Sequence, residues 1–215
     1  MIALELLSTI ILLFAFFYGA IKLWRKDKPL YFQIIICAIG CFALFHLSVI
    51  VMAYCNVNET YFNDSFFGIL GCYMLLLCAN SGAIDKAICE NPKRDTIILS
   101  IFSGLVELAL TVIVGYLYYG FNNIVFYIYI LIQIPACIVV YYNAKHLLSP
   151  IDDVRLLEGM RLTDIFSIIF IVVFTFDILS WKTVGIVSAI CDLLVSILIL
   201  LLSFFSVKGA KKWSI

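Results

Sequence analysis

Apolar residues run through this chain in seven long segments that are separated by short polar connectors. Each segment is close to the 20 residues that a helix needs to cross the roughly 30 Å hydrocarbon core of a bilayer. Uninterrupted apolar runs of this length predict membrane-spanning helices rather than strands. The predicted spans are 3–21, 31–53, 66–84, 96–119, 122–143, 162–180 and 184–207.

The composition indicates one membrane domain. The chain is 65% hydrophobic and 13% charged, whereas roughly a quarter of the residues in a soluble domain are charged. No polar stretch is long enough to fold separately, so a single all-α domain should cover residues 1–215. The zero net charge gives no sign of a nucleic-acid partner, and no cysteine lies in a Cys-x-x-Cys pair. We therefore expect membrane lipid as a partner, no nucleic acid, no metal and no cofactor.

The basic residues predict how the helices are oriented. Every Lys and Arg except Lys182 lies after span one, three, five or seven. Loops rich in Lys and Arg stay on the cytoplasmic side of a membrane. We therefore expect an outside amino terminus, a cytoplasmic carboxyl terminus and an odd number of spans. This is the layout of a multi-pass protein of the plasma or cytoplasmic membrane.

Two connectors carry further signals. The outer loop at 56–65 has glycosylation sequons at Asn58 and Asn63, and their use depends on the host. The longest inner loop runs from Ala144 to Arg161. It contains Ser149, then Pro150 and two aspartates, an order typical of a helix start. We predict a short interfacial helix there, whose surface is also the candidate dock for a cytoplasmic or membrane signalling partner.

The span at 96–119 is interrupted by one carboxylate, Glu107. Ser100, Gly104, Thr111 and Gly115 fall on the same helical face as this carboxylate. Small residues let helices approach closely in lipid, and a buried carboxylate must face protein or water. This helix is therefore predicted to pack in the middle of a bundle, with Glu107 pointing inward.

Polar residues within the other spans suggest a binding site. At about 1.5 Å per residue, they lie between about 6 and 18 Å below the outer surface. An ionisable group at such a depth costs several kcal/mol unless it is paired, protonated or hydrated. The candidate ligand- or cation-binding residues are Glu107, Asp192, His46, Gln133 and Asp177.

The spacing around Asp192 repeats the small-residue face of Glu107. We therefore expect these two carboxylates to face each other in one acidic pocket that opens to the outside. No Lys or Arg occurs at their depth, so the pocket should take up protons or bind a cation. The inner half of each span is expected to be nearly devoid of charge. His46 also fits a structural contact, and Asp177 also fits a side chain reaching the outer interface.

Three functions suit this pattern. A receptor or sensor ranks first: a small cationic or protonatable extracytoplasmic ligand would bind the pocket, and a partner would carry the signal. The alternative is a proton- or cation-coupled solute transporter or channel that uses Glu107 and Asp192. Spans one to three and five to seven run in the same direction, which permits the 3+1+3 arrangement found among transporters. The expected lack of inner polar residues counts against transport.

An enzyme is the minor alternative. Asp177 and Asp192 lie on consecutive spans, where two aspartates could serve as the acid and base of an intramembrane aspartyl hydrolase. The Gly-x-Gly-Asp and Pro-Ala-Leu elements of intramembrane aspartyl proteases are absent from the chain. We therefore expect no enzymatic activity.

Overall fold

The computed structural model describes residues 2–24, 28–55, 66–81, 85, 93–149, 154–181 and 185–213. These residues form seven helices and contain no strand. The helices are α1 (Ile2–Leu23), α2 (Leu30–Tyr54), α3 (Phe66–Asn80), α4 (Arg94–Tyr119), α5 (Ile124–Leu148), α6 (Val154–Ser180) and α7 (Ile186–Trp213). All of these except α3 are long and apolar enough to cross a membrane. The described part of the chain is thus an all-helical fold consistent with a membrane protein.

Helix α3 is shorter than the predicted span at 66–84. It has 15 residues, which is about 22 Å at 1.5 Å per residue. At its end the Asn80 side-chain amide donates a 2.9 Å hydrogen bond to the Leu76 carbonyl oxygen. Residues 82–84 lie outside the described residues, as do the sequons at Asn58 and Asn63.

The predicted interfacial helix is wrong over 154–161, because these residues belong to α6. This helix runs for 27 residues without a break. Gly159 does not interrupt it, because its backbone packs against α7. A Cβ at this position would lie 3.1 Å from the Gly209 carbonyl oxygen. Residues 150–153 lie outside the described residues.

Six helices form a ring in the order α1, α2, α3, α5, α6 and α7, and α7 packs on α1 to close it. In chain order the ring divides into two sets of three helices, the three-helix units α1–α3 and α5–α7, whose middle helices are α2 and α6, although α7 packs on α1 more extensively than α5 packs on α6. The units meet where α3 packs on α5, where α7 packs on α1, and where α2 reaches α7. This packing agrees with a 3+1+3 arrangement in which α4 links the two units.

Helix α4 lies outside the ring, in the groove between α5 and α6. Its packing face is the predicted one, because Ser100, Glu107, Thr111 and Gly115 are all buried. The expectation that α4 sits in the middle of the bundle is wrong. Only this one face is small and polar, and the other faces carry exposed side chains such as Phe102, which is 63% exposed.

The two ends of the bundle differ in charge. The basic end contains the end of α1 and the start of α2, and it carries Lys22, Lys145 and Lys208. The opposite, acidic end contains the start of α1 and the end of α6, and it carries Glu5 and Asp177. We use these two names below.

Aromatic side chains fill the centre of the ring between α2 and α6. The Phe42 ring of α2 lies 5.1 Å from the rings of Phe170 and Phe174 of α6, measured between centroids. Nearer the acidic end, Phe45 contacts Phe174 and Trp181. In the described part of the chain, α2 and α6 are not among the helix pairs with extensive backbone contact. Large side chains, rather than backbone packing, therefore bridge the two middle helices.

Candidate functional site

Glu107 lies in a buried polar group that we call the central cluster. Its side chain is 1% exposed, and the Thr175 hydroxyl of α6 donates a 2.7 Å hydrogen bond to Oε1. The other oxygen, Oε2, has no hydrogen-bond partner among the described residues. The hydroxyls of Tyr73 and Tyr129 lie near Glu107, and Gln133 lies beside the Tyr73 hydroxyl; neither hydroxyl has a hydrogen-bond partner among the described residues. The central cluster therefore joins α4 to α3, α5 and α6.

Asp177 and Asp192 form an acidic pair at the acidic end. Their carboxyl groups interact directly with each other, and the indole of Trp181 contacts both. The Ser180 hydroxyl donates a 2.9 Å hydrogen bond to Oδ1 of Asp177. Two carboxyl groups this close repel each other when both are ionised.

The structure does not bring Glu107 and Asp192 into one pocket. Glu107 contacts Thr175, whereas Asp192 contacts Asp177, and both partners lie on α6. Residues two apart on a helix point about 200° away from each other. Glu107 and Asp192 therefore lie against opposite sides of α6. A small-residue face can pack on any neighbouring helix, which is why two such faces need not meet.

His46 belongs to neither group. Its Nδ1 lies 3.0 Å from the Thr9 hydroxyl of α1, and the Thr9 hydroxyl also bonds the Glu5 carbonyl oxygen. The side chain is nearly buried and links α2 to α1. This geometry fits the structural contact that the sequence left open.

A second buried group lies at the basic end, where the sequence predicted almost no charge. The Tyr31 hydroxyl of α2 donates a 2.8 Å hydrogen bond to Oδ1 of Asp164 in α6. The same hydroxyl lies 3.4 Å from Oδ1 of Asn80 in α3. We call this group the basic-end cluster, and its members are Tyr31, Asn80, Asp85, Lys145, His146 and Asp164.

The basic-end cluster continues to the surface through Asp85. The Lys145 ammonium lies 2.8 and 2.9 Å from the two carboxylate oxygens of Asp85. The neighbouring imidazole of His146 has Nε2 3.6 Å from Asp85 and Nδ1 3.9 Å from Asp164. The side chain of Asp85 is 20% exposed, whereas those of His146 and Asp164 are 0% and 1% exposed.

Further polar residues extend this cluster into the bundle. Asn143 precedes His146 by three residues on α5, and Ser167 follows Asp164 by three on α6. Because α5 and α6 are antiparallel, both lie about one turn, roughly 5 Å, further inside. Both are buried, and neither side chain has a hydrogen-bond partner among the described residues.

The expectation that the inner half of the spans is nearly devoid of charge is therefore wrong. Asp164 lies in the first turn of the predicted span at 162–180. Lys145 and His146 fall in a predicted loop, but α5 runs five residues past the predicted end at 143. The signal was present in the sequence, because Thr163, Asp164 and Ser167 fall on one helical face.

Helix α6 contacts all three polar groups. Asp164 lies near its basic end, Thr175 holds Glu107 further along, and Asp177 pairs with Asp192 near its acidic end. Eleven residues, or about 16 Å, separate Asp164 from Thr175.

Comparisons of this chain with protein-family models, with curated proteins and with solved structures found no match. The chemistry of the three polar groups is therefore the basis for a functional proposal.

Proposed function

We propose that this protein is a membrane transporter in which a small solute passes between α2 and α6 together with protons or another cation. The observation that carries the proposal is how the two middle helices meet. Tyr31 and Asp164 join them at the basic end, and aromatic rings join them at the centre and the acidic end. Side-chain contacts of this kind can separate without breaking the backbone packing inside each three-helix unit.

The basic-end cluster is the reason to rank transport above sensing. A route for protons or cations needs polar groups on both sides of the bilayer centre, and such intramembrane groups commonly mark ion pathways. The sequence places its candidate residues in the outer half or near the midplane. Asp164 and His146 supply buried ionisable groups in the other half, so the main objection to transport no longer applies.

The charge distribution suggests how the protein is oriented. With its Lys and Arg residues in the cytoplasm, the basic end would face the cell interior and the amino terminus would lie outside. In this orientation the Tyr31–Asp164 bond closes the cytoplasmic side, and the Phe45–Trp181 contact closes the outer side. The connector between Ala144 and Arg161 would face the cytoplasm and remains the candidate surface for a partner.

Alternating access would then require the sets α1–α3 and α5–α7 to move relative to each other, with the α1–α7 and α3–α5 contacts acting as hinges. Breaking the Tyr31–Asp164 hydrogen bond would let α2 and α6 separate at the basic end while the aromatic contacts hold the other end. Separation of Phe45 from Phe174 and Trp181 would produce the opposite state. Rocking of one repeat-like unit against another is a common way for transporters to expose a central site to each side in turn.

Cysteine accessibility tests this proposal without knowledge of the solute. Phe42, 1% exposed, would be replaced by Cys in a protein whose native cysteines are changed to Ser. Sealed proteoliposomes would be treated with a membrane-impermeant maleimide from either side. We expect labelling of Phe42→Cys from both sides. Trp24→Cys, at a position 70% exposed at the basic end, is the control and should react from one side.

The same measurement separates the alternatives. Labelling of Phe42→Cys from the acidic end alone would favour an outward-facing sensor over a transporter. If Phe42→Cys is labelled from neither side while the Trp24→Cys control is labelled normally, a pathway between α2 and α6 is contradicted.

A further inference from the structure

His146 lies between a carboxylate near the surface and a carboxyl group inside the bundle. Its Nε2 faces Asp85 at 3.6 Å, and its Nδ1 faces Asp164 at 3.9 Å. The imidazole is fully buried, so a proton moving between these two groups would pass through the ring rather than around it through solvent. One histidine with a carboxyl group on each side is an arrangement suited to proton transfer.

Neither ring nitrogen of His146 has a hydrogen-bond partner among the described residues. Both distances to the carboxyl oxygens are longer than a direct hydrogen bond. A small rotation of the ring, or one bridging water on either side, would close them. A histidine that serves only a structural role is usually held in one tautomer by a firm bond to one nitrogen. Within the described part of the chain His146 has no such bond, so either nitrogen can carry the proton.

The groups around His146 give the two carboxyl groups different roles. Lys145 lies within 2.9 Å of both oxygens of Asp85 and forms an ion pair with it. Tyr31 donates to Oδ1 of Asp164, so Oδ2 is the oxygen left to face His146. Asn80 lies on the far side of Tyr31 and is neutral. Asp164 thus faces Nδ1 inside the bundle, and Asp85 faces Nε2 on the surface side.

We propose that His146 relays protons between the aqueous surface at Asp85 and the buried carboxyl group of Asp164. In the inward step, a proton from the medium binds Nε2, the Nδ1–H bond breaks, and an O–H bond forms at Oδ2 of Asp164. The net transfer is one proton, and no electrons are gained or lost. The reverse transfer restores the starting tautomer: Nδ1 takes the proton back from Oδ2 of Asp164, and Nε2 releases its proton to the medium.

The relay also deepens the proposed function, on which this part of the inference rests. A charged acceptor makes a hydrogen bond roughly twice as strong as a neutral one. Protonation of Asp164 would therefore weaken the bond that Tyr31 donates to it. Because this bond joins α2 to α6, arrival of a proton would loosen the basic end. Proton transfer through His146 is thereby coupled to opening.

Infrared spectroscopy can follow the relay directly in purified protein. Asp164→Asn identifies the carboxyl band of Asp164, and its hydrogen–deuterium exchange after transfer to D₂O is then timed. We expect His146→Gln to slow this exchange about 100-fold, within the range of a positioned acid–base group. His46→Gln changes the other histidine, which is bonded to Thr9 at the opposite end, and should leave the rate unchanged.

Two outcomes would overturn the relay. One is an unchanged exchange rate in His146→Gln. The other is that Asp164→Asn removes no carboxyl band at any pH at which the protein is folded. If His146→Gln does not fold, Asp85→Asn takes its place, and a slower exchange is again expected. The exchange measurement needs no transport. Slow exchange in His146→Gln with one-sided labelling of Phe42→Cys would uphold the relay and reject transport. Unchanged exchange with labelling from both sides would reject the relay and uphold transport.

Discussion

The two ends of the space between α2 and α6 are closed by different chemistry. At the basic end, one hydrogen bond joins the Tyr31 hydroxyl to Asp164. Toward the acidic end, the rings of Phe45, Phe174 and Trp181 pack against one another. A proton can change the strength of a hydrogen bond to a carboxylate, whereas ring packing depends on shape and buried area. The comparison suggests that the basic end is the chemically controlled one.

The largest expected effect is at the aromatic centre. Phe42→Ala should lower the free energy of unfolding by about 3–5 kcal/mol, because it leaves a cavity where one ring contacts Phe170 and Phe174. Unfolding in detergent micelles, followed by circular dichroism, measures the change. Phe14→Ala is the control, since Phe14 is 60% exposed and should contribute little. Equal losses in the two variants would show that the centre is not packed as described.

A smaller loss is expected when the polar contact is removed. Tyr31→Phe deletes the donor to Asp164 and should lower the free energy of unfolding by about 1–3 kcal/mol, because a buried acceptor is left without its donor. Tyr116→Phe, at a position 49% exposed, should change it little. The same detergent unfolding assay applies. If Tyr31→Phe were as damaging as Phe42→Ala, the basic end would be held by packing and not by its hydrogen bond.

The rigidity of one three-helix unit can be tested at its closest contact. A Cβ at Gly209 would collide with the Gly159 carbonyl oxygen of α6 and lie 2.8 Å from Phe32. Gly209→Ala should therefore cost about 1–3 kcal/mol of stability through overpacking. Gly71→Ala is the matched control, since its nearest neighbour, Cys41 Sγ, would lie at an ordinary 3.4 Å. If Gly209→Ala left the free energy of unfolding unchanged, α6 and α7 would have to move apart easily.

The smallest effect is expected at the surface of the basic-end cluster. Lys145→Gln removes the charge of the ion pair with Asp85 but leaves an amide that can still donate a hydrogen bond; the side chains of Lys145 and Asp85 are 10% and 20% exposed. Partly solvated ion pairs contribute about 0–1 kcal/mol, so the midpoint of unfolding should barely shift. A loss as large as that in Tyr31→Phe would place the main polar closure at Lys145 rather than at Asp164.

The sequence was sufficient to predict the helices and one packing face. Long apolar runs located all seven helices, and the spacing of Ser100, Glu107 and Thr111 identified the face of α4 that packs. Both features follow from local periodicity, which needs no knowledge of neighbours. The ring order depends on which helices meet, and the pattern allowed the 3+1+3 packing without requiring it.

The partners of the polar residues could not be predicted in the same way. Glu107 meets Thr175, and Asp192 meets Asp177, because α6 lies between their helices. Spacing within a helix says which residues share a face, but not which helix that face meets. The basic-end cluster was missed for a different reason. Asn143 and His146 were divided by a predicted boundary that fell too early, so their shared face was not recognised.

Alternate opening of the two ends is the central claim, and spin-label distances test it most directly. One label pair, at the exposed positions Leu30 and Leu162, reports the separation of α2 and α6 at the basic end. A second pair, at Val51 and Phe176, reports the acidic end. We predict two distances at each end, one for the open and one for the closed state. Tyr31→Phe should increase the fraction of molecules with the longer distance at the basic end and the fraction with the shorter distance at the acidic end. A single distance at both ends, unchanged in Tyr31→Phe, would contradict the account.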